Sequence, residues 1–168
     1  PERLARQATL LGTRPEVSVA SCLVRVVREG GVAGGWRRYE RWINGLVTPD
    51  DHAREIFVES PIPHPTAMVR TAECRALGGY HDPPWPEDYD LWLRYYAAGR
   101  AIAKVPEVLL DWRDHDGRLS RVDGRYRRDR LLDAKAHYLA RGPLAGPGAA
   151  VVWGAGPVGT RLARGLRA

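Results

Sequence analysis

Apolar residues change their period several times along the chain, and each change marks an element. Leu4, Ala8 and Leu11 share one helical face, so residues 1–11 are expected to form a helix with Pro1 and Glu2 in its first turn. Val17 to Val27 is rich in valine and predicts a strand, buried on both sides near residues 17–20. Gly30-Gly31 and Gly34-Gly35 bracket a loop, after which Tyr39, Ile43 and Leu46 recur at helical spacing over residues 36–47. Thr48-Pro49-Asp50-Asp51 has the form of a cap, a first-turn proline and two acids matched to the macrodipole, opening a short helix. Three prolines between Ser60 and Pro65 make a stiff, extended connector around His64. A short strand over residues 66–70 and a helix over residues 71–77, ended by Gly78, are expected next. Ile102 to Trp112 alternates like paired strands, and residues 125–140 form an amphipathic helix through Leu131, Leu132, Ala136 and Leu139.

Between these lies Trp85-Pro86-Glu87-Asp88-Tyr89-Asp90-Leu91-Trp92-Leu93-Arg94, preceded by Gly78-Gly79-Tyr80 and by Pro83, Pro84 and Pro86. Proline and adjacent acids suit the first turn of a helix, where the dipole is positive. Asp88, Leu91, Trp92 and Tyr95 fall at i, i+3, i+4 and i+7, on one face. Asp88 would then stand where an apolar stripe meets an opening, as a general base does. The same acids also serve a helix start, and Asp90 is spaced to pair with Arg94.

Composition narrows the class without choosing a partner. At 168 residues and 44% apolar, with six tryptophans, the chain can bury a sizeable core. The formal charge is +6, carried almost wholly by arginine, since Lys104 and Lys135 are the two lysines. That charge favours anionic partners in general: phosphates, acidic lipid surfaces or nucleic acid. Cys22 and Cys74 lie far apart in apolar segments with no metal-ligand spacing, as free thiols of a reducing compartment. No apolar run is long enough to span a bilayer. The expected location is cytoplasmic, or at the inner face of the membrane. Arg118, Arg121, Arg125, Arg127, Arg128 and Arg130 crowd one stretch, where one or two could meet phosphate and the rest form a solvated face.

The last segment changes character after a Gly/Pro linker over residues 142–148. Residues 149–153 read as a buried strand, and Gly154, Gly156 and Gly159 fit G-x-G-x-x-G running into a helix over residues 160–168. The acidic residue about 20 positions further on, which would complete the motif, lies beyond the chain. Residues 149–168 are therefore expected to be the first βα unit of a truncated Rossmann-like domain, unable to bind a dinucleotide alone.

Order and spacing carry a further signal. Pro61-Ile62-Pro63-His64-Pro65-Thr66, Leu77-Gly78-Gly79-Tyr80, Glu87-Asp88-Tyr89-Asp90-Leu91-Trp92-Leu93-Arg94 and Trp112-Arg113-Asp114-His115 with Ser120 follow one another at plausible gaps. Residues 1–141 on this basis resemble the C-terminal half of a family 2 glycosyltransferase of the GT-A fold. The resemblance implies an α/β fold, here the acceptor half of a mixed sheet, and an inverting transfer of sugar from a nucleotide-diphospho-sugar, UDP-type, to a hydroxyl acceptor such as a glycan or lipid-linked saccharide. It implies Asp88 as the base, with Glu87 beside it, and Gly78, Gly79, Tyr80, His64, Trp92 and Arg118 around donor and acceptor. It implies His115 as a ligand or neighbour of Mg²⁺ or Mn²⁺ in the intact enzyme, and association with a membrane surface. The family's Asp-x-Asp motif is missing. Asp88/Asp90 and Asp114/Asp116 have that spacing but belong to other motifs, so the chain is expected to be a fragment, inactive alone. Two other classes remain open: a non-catalytic basic module binding phosphates or nucleic acid, although no nucleic acid is expected, and a remnant of a dinucleotide-binding oxidoreductase.

Overall fold

The computed structural model describes residues 2–167; Pro1 and Ala168, the outer limits of the expected first and last helices, lie outside the described residues. The fold is α/β around a small mixed sheet. Helix α1 (Glu2–Thr13) leads into strand β1 (Val17–Val27), followed by α2 (Gly34–Gly45) and α3 (Pro49–Glu55). A 3₁₀ turn (His64–Thr66), strand β2 (Met68–Val69), α4 (Thr71–Ala76), α5 (Glu87–Ala97) and β3 (Ala101–Arg113) come next. The chain ends with α6 (Leu119–Val122), a 3₁₀ turn (Gly124–Tyr126), α7 (Arg128–Arg141) and α8 (Pro157–Gly165).

Strand β1 is the middle of the sheet, antiparallel to β2 and parallel to β3. It is buried on both faces, from Val17, Val19 and Ala20 to Cys22 and Val24, with Ser18 and Ser21 among them. Residues 101–113 form one strand, not the expected pair. Its alternation, which would otherwise suggest a hairpin, is used in pairing along one neighbour, β1. The register skips from Cys22↔Val105 to Leu23↔Val108, across Pro106. Proline has no N–H for the ladder and is tolerated at such irregularities.

Helix α5 is the centre of the core. Asp88 through Leu93 and Tyr95 are all buried, so the helix is enclosed nearly all round and not on the single face its spacing predicts. Tyr89, Leu91, Trp92, Leu93 and Tyr95 pack with Val19, Ile56, Ile62, Ile102 and Ala134. Several expected boundaries hold. Thr48 and Asp51 form a reciprocal capping box on α3, and Gly78 and Gly99 sit at φ +85° and +66° after α4 and α5. The helix expected over residues 125–140 is interrupted at its start: the Asp123 side chain accepts from the Arg125 amide and closes a separate 3₁₀ turn.

The tail differs more. Residues 149–153 form no strand; Val151 is 85% and Trp153 98% exposed. A parallel strand needs a neighbour to satisfy its amides, and the described residues supply none there. The glycine turn and helix do form. A Cβ on Gly159 would lie 2.0 Å from the Gly154 carbonyl oxygen, so this close crossing of turn over helix requires glycine. Arg161 binds Asp133 through two hydrogen bonds of 2.9 and 2.7 Å, holding α8 on α7.

Candidate functional site

Asp88 stands in the first turn of α5, 8% exposed, on the wall of a cleft of about 1040 Å³. Glu87, His64, His115 and Arg118 line the same cleft, so five of the expected site residues converge although they span 55 positions. Burial is the chief influence on Asp88 and raises its carboxyl above the ordinary range; the nearby His64 and the Tyr89 amide oppose that rise, and Glu87 adds to it. The nearest approach of His64 is Nδ1 to Asp88 Oδ2, 3.8 Å. Glu87 accepts from the Tyr126 hydroxyl at 3.3 Å and lies 3.6 Å from the Arg125 guanidinium. Burial, with Asp88 and Glu87 close by, pushes the Tyr126 phenol well up, so it stays a donor at neutral pH.

His64 is held by a turn pinned from several sides. Lys104 Nζ donates to the Pro61 carbonyl at 3.0 Å, and Arg3 to the Pro65 carbonyl at 2.9 Å. The Thr66 hydroxyl donates to Pro63 O at 2.7 Å and meets Ser21 Oγ at 2.5 Å, while buried Gln7 donates to Thr66 O at 2.6 Å. The expected stiffness of the Pro-rich connector is thus reinforced by side chains from α1, β1 and β3.

The same cleft is also lined by aromatic and cationic groups. Trp36 and Tyr39 from α2 meet Trp112 at the end of β3, with ring centroids 5.9 Å apart for the two tryptophans. The Arg118 guanidinium lies 4.4 Å from the Trp112 ring and 5.2 Å from Trp36, and is tied to Asp114 at 3.4 Å. Burial alone would raise the Asp114 carboxyl, but Arg28 and Arg121 outweigh it and hold it below the ordinary range. Trp36 and Tyr126 carry no role in the sequence reading, where Tyr39 is only a helix-face position and Trp112 only part of the motif leading to His115. Trp36 and Tyr39 carry only an i, i+3 spacing on one helix, which does not identify the strand end they face.

Three sets of expected residues lie elsewhere. Trp92 is fully buried and does not line the cleft; four residues after Asp88, it points into the core beneath His64, ring centroids 6.2 Å apart. Gly78, Gly79 and Tyr80 are also off the cleft wall. The loop is fastened from behind by Arg94, which donates to Leu77 O at 2.6 Å and Gly79 O at 2.7 Å while its Nε binds Asp90 at 2.9 Å. Asp90 also accepts from Trp85 Nε1 at 2.9 Å and the Tyr138 hydroxyl at 2.8 Å, which makes it a buried organiser of this region. Tyr80 reaches the site indirectly, through a 2.8 Å hydrogen bond with His64 Nε2. Gly154, Gly156 and Gly159 belong to the tail and do not touch the cleft.

The residues present do not by themselves build the expected Mg²⁺ or Mn²⁺ site. Among the described residues no three His, Cys, Asp or Glu side chains converge as ligands. Beside His115, Asp114 is taken by Arg28 and Arg121 at 2.8 Å each, and Asp116 by Arg28 at 2.8 Å. The arginine stretch is largely paired in the same way, Arg125 with Asp123 and Arg127 with Asp129. Both cysteines are free thiols. Among the described residues no helix is long and apolar enough to cross a membrane.

The cleft therefore combines a buried carboxylate with aromatic rings and a guanidinium, groups suited to taking a proton and to meeting an anion. No family model matches the chain, and no solved structure matches it significantly. Over 110 residues it is 27% identical to the amylovoran biosynthesis glycosyltransferase AmsE of Erwinia amylovora, a match covering 66% of this chain and 39% of that protein. This similarity relates the chain to part of a glycosyltransferase.

Proposed function

We propose that this chain forms the acceptor side of an inverting, GT-A type family 2 glycosyltransferase, with Asp88 as the base. The observation that carries the reading is the position of Asp88: buried in the first turn of the central helix, yet on the wall of a cleft of about 1040 Å³ that Arg118 also lines. The acceptor hydroxyl binds against Asp88 and gives up its proton to that carboxylate. Its oxygen attacks the anomeric carbon of the donor, and the bond to the nucleoside diphosphate breaks with inversion. A positioned base of this kind contributes about 10²–10⁴-fold. Arg118, held between two indoles, faces the anionic leaving group. The donor is a nucleotide-diphospho-sugar and the acceptor a glycan or lipid-linked saccharide, handled in the cytoplasm or at the inner membrane face.

The chain spans 39% of the length of its curated relative, and the donor-binding groups and any divalent cation belong to the longer protein in this reading. A basic phosphate- or nucleic-acid-binding module fits less well, because Trp92 and Tyr95 are buried and offer no stacking platform. The test uses the full-length protein with UDP-sugars and a lipid-linked saccharide acceptor. Transfer with inverted anomeric configuration, lost in Asp88→Asn, is expected. Undiminished transfer in that variant would remove Asp88 from the reaction.

A further inference from the structure

His64, in the proline-rich connector, stands between the exposed Tyr80 and Asp88, within reach of each through a different ring nitrogen. His64 Nδ1 lies 3.8 Å from Asp88 Oδ2, and Nε2 lies 2.8 Å from the Tyr80 hydroxyl oxygen. The imidazole is not free to turn. Trp92 packs edge-on below it, Tyr80 lies at a ring distance of 5.5 Å, and the turn that carries it is tied to Gln7, Ser21 and Lys104.

We propose that His64 is a positioning residue for Asp88, and that Tyr80 selects its tautomer: the Tyr80 hydroxyl donates to Nε2, so that the imidazole proton sits on Nδ1 and faces the carboxylate. The two imidazole nitrogens of a neutral histidine are distinct, and the partner of one decides which carries the proton. A phenol hydroxyl can donate to Nε2 only when Nε2 is bare. Tyr80 is 52% exposed, so it can fill this role without being part of the core. The consequence for the base is direct. Asp88 is buried, which disfavours its charge, and a proton carried on Nδ1, 3.8 Å from Oδ2, offsets part of that electrostatically without a direct hydrogen bond. The Tyr89 amide serves the other oxygen, Oδ1, at 2.8 Å, which leaves Oδ2 to His64. Of the remaining groups, Glu87 on the same helix is a like charge, and Tyr126 and Arg125 are engaged with Glu87. This role rests on the reading of Asp88 as the base, but its test does not require transfer.

In the ¹⁵N-labelled chain, long-range ¹H–¹⁵N correlation identifies His64 by comparison with His64→Gln and reports which nitrogen bears the proton at pH 8. Carbonyl-detected titration of Asp88 follows its side-chain carboxyl in the wild type, His64→Gln and Tyr80→Phe. The expected result is a protonated Nδ1 in the wild type and a loss of that preference in Tyr80→Phe. The Asp88 midpoint is expected to move upward in both variants, further in His64→Gln. A wild-type His64 protonated on Nε2, or an Asp88 midpoint unmoved by Tyr80→Phe, would overturn the proposal. Tyr80→Phe removes one exposed oxygen and leaves the fold intact, so the two-link effect is read on a native protein. Failure of sugar transfer with these signatures present would instead count against the glycosyltransferase reading alone.

Discussion

At the scale of single residues, Asp88 shows how a site can oppose the stability of the fold that holds it. Its carboxyl titrates higher in the folded chain than in the unfolded one, chiefly because it is buried. The unfolded chain therefore releases this proton first, and the folded state loses stability as pH rises through that window. Asp88→Asn keeps an oxygen to accept from the Tyr89 amide, 2.8 Å away, and removes the buried charge. The variant is expected to need more urea to unfold at pH 7 than the wild type, while transfer by the full-length protein falls ~10²-fold or more. Asp88 was recognisable from sequence because acids at a helix start followed by apolar i+3 and i+4 positions place a carboxylate beside a core. Trp92, which the resemblance placed around donor and acceptor, is fully buried, as its helical core spacing one turn after Asp88 implies.

At the scale of elements, the glycine loop before α5 is shaped by a network and not by glycine alone. Asp90 is 3% exposed and joins Arg94, Trp85 and Tyr138, and Arg94 in turn holds the carbonyls of Leu77 and Gly79. Asp90→Ala leaves the Arg94 guanidinium buried without its counter-charge, and a loss of about 3–5 kcal/mol in urea unfolding is expected. The spacing of Asp90 and Arg94 was legible as an i, i+4 pair, whereas the reach of Arg94 back to residues 77 and 79 was not. In the tail, Gly159→Ala brings a methyl into the Gly154 carbonyl and must displace the turn ahead of α8. Faster amide exchange over residues 157–165, with α5 unaffected, is the expected result. The strand expected at residues 149–153 shows the converse, because an apolar run becomes a strand only where another strand can take its hydrogen bonds.

At the scale of the whole molecule, two buried bases tie stability to pH. His52 is 2% exposed, donates from Nδ1 to the Thr48 carbonyl, and burial lowers it to about 4 from its ordinary 6.5. The unfolded chain takes up that proton first as pH falls, so the folded state loses about 3 kcal/mol between pH 6.5 and 4. His52→Gln is expected to flatten this acid-side loss, measured as urea midpoints across the range. Burial likewise lowers Lys104 to about 7. Folding then grows more favourable as pH rises from about 7 toward the unfolded lysine value near 10.5. Lys104 also holds the Pro61 carbonyl of the segment that carries His64, so its titration bears on the site as well as on the fold. Periodicity and glycine placement were enough to locate β1, α3, α5 and the left-handed turns at Gly78 and Gly99, because those depend on local backbone preference and on alternation within one segment. The pairing of β3 as one long parallel strand, the enclosure of α5 on all sides, and the meeting of Asp88, His64, His115 and Arg118 with Trp36 and Trp112 were decided only by tertiary packing. Contacts between residues tens of positions apart leave no period in the chain; they exist because the sheet and the central helix bring separate loop ends to one opening.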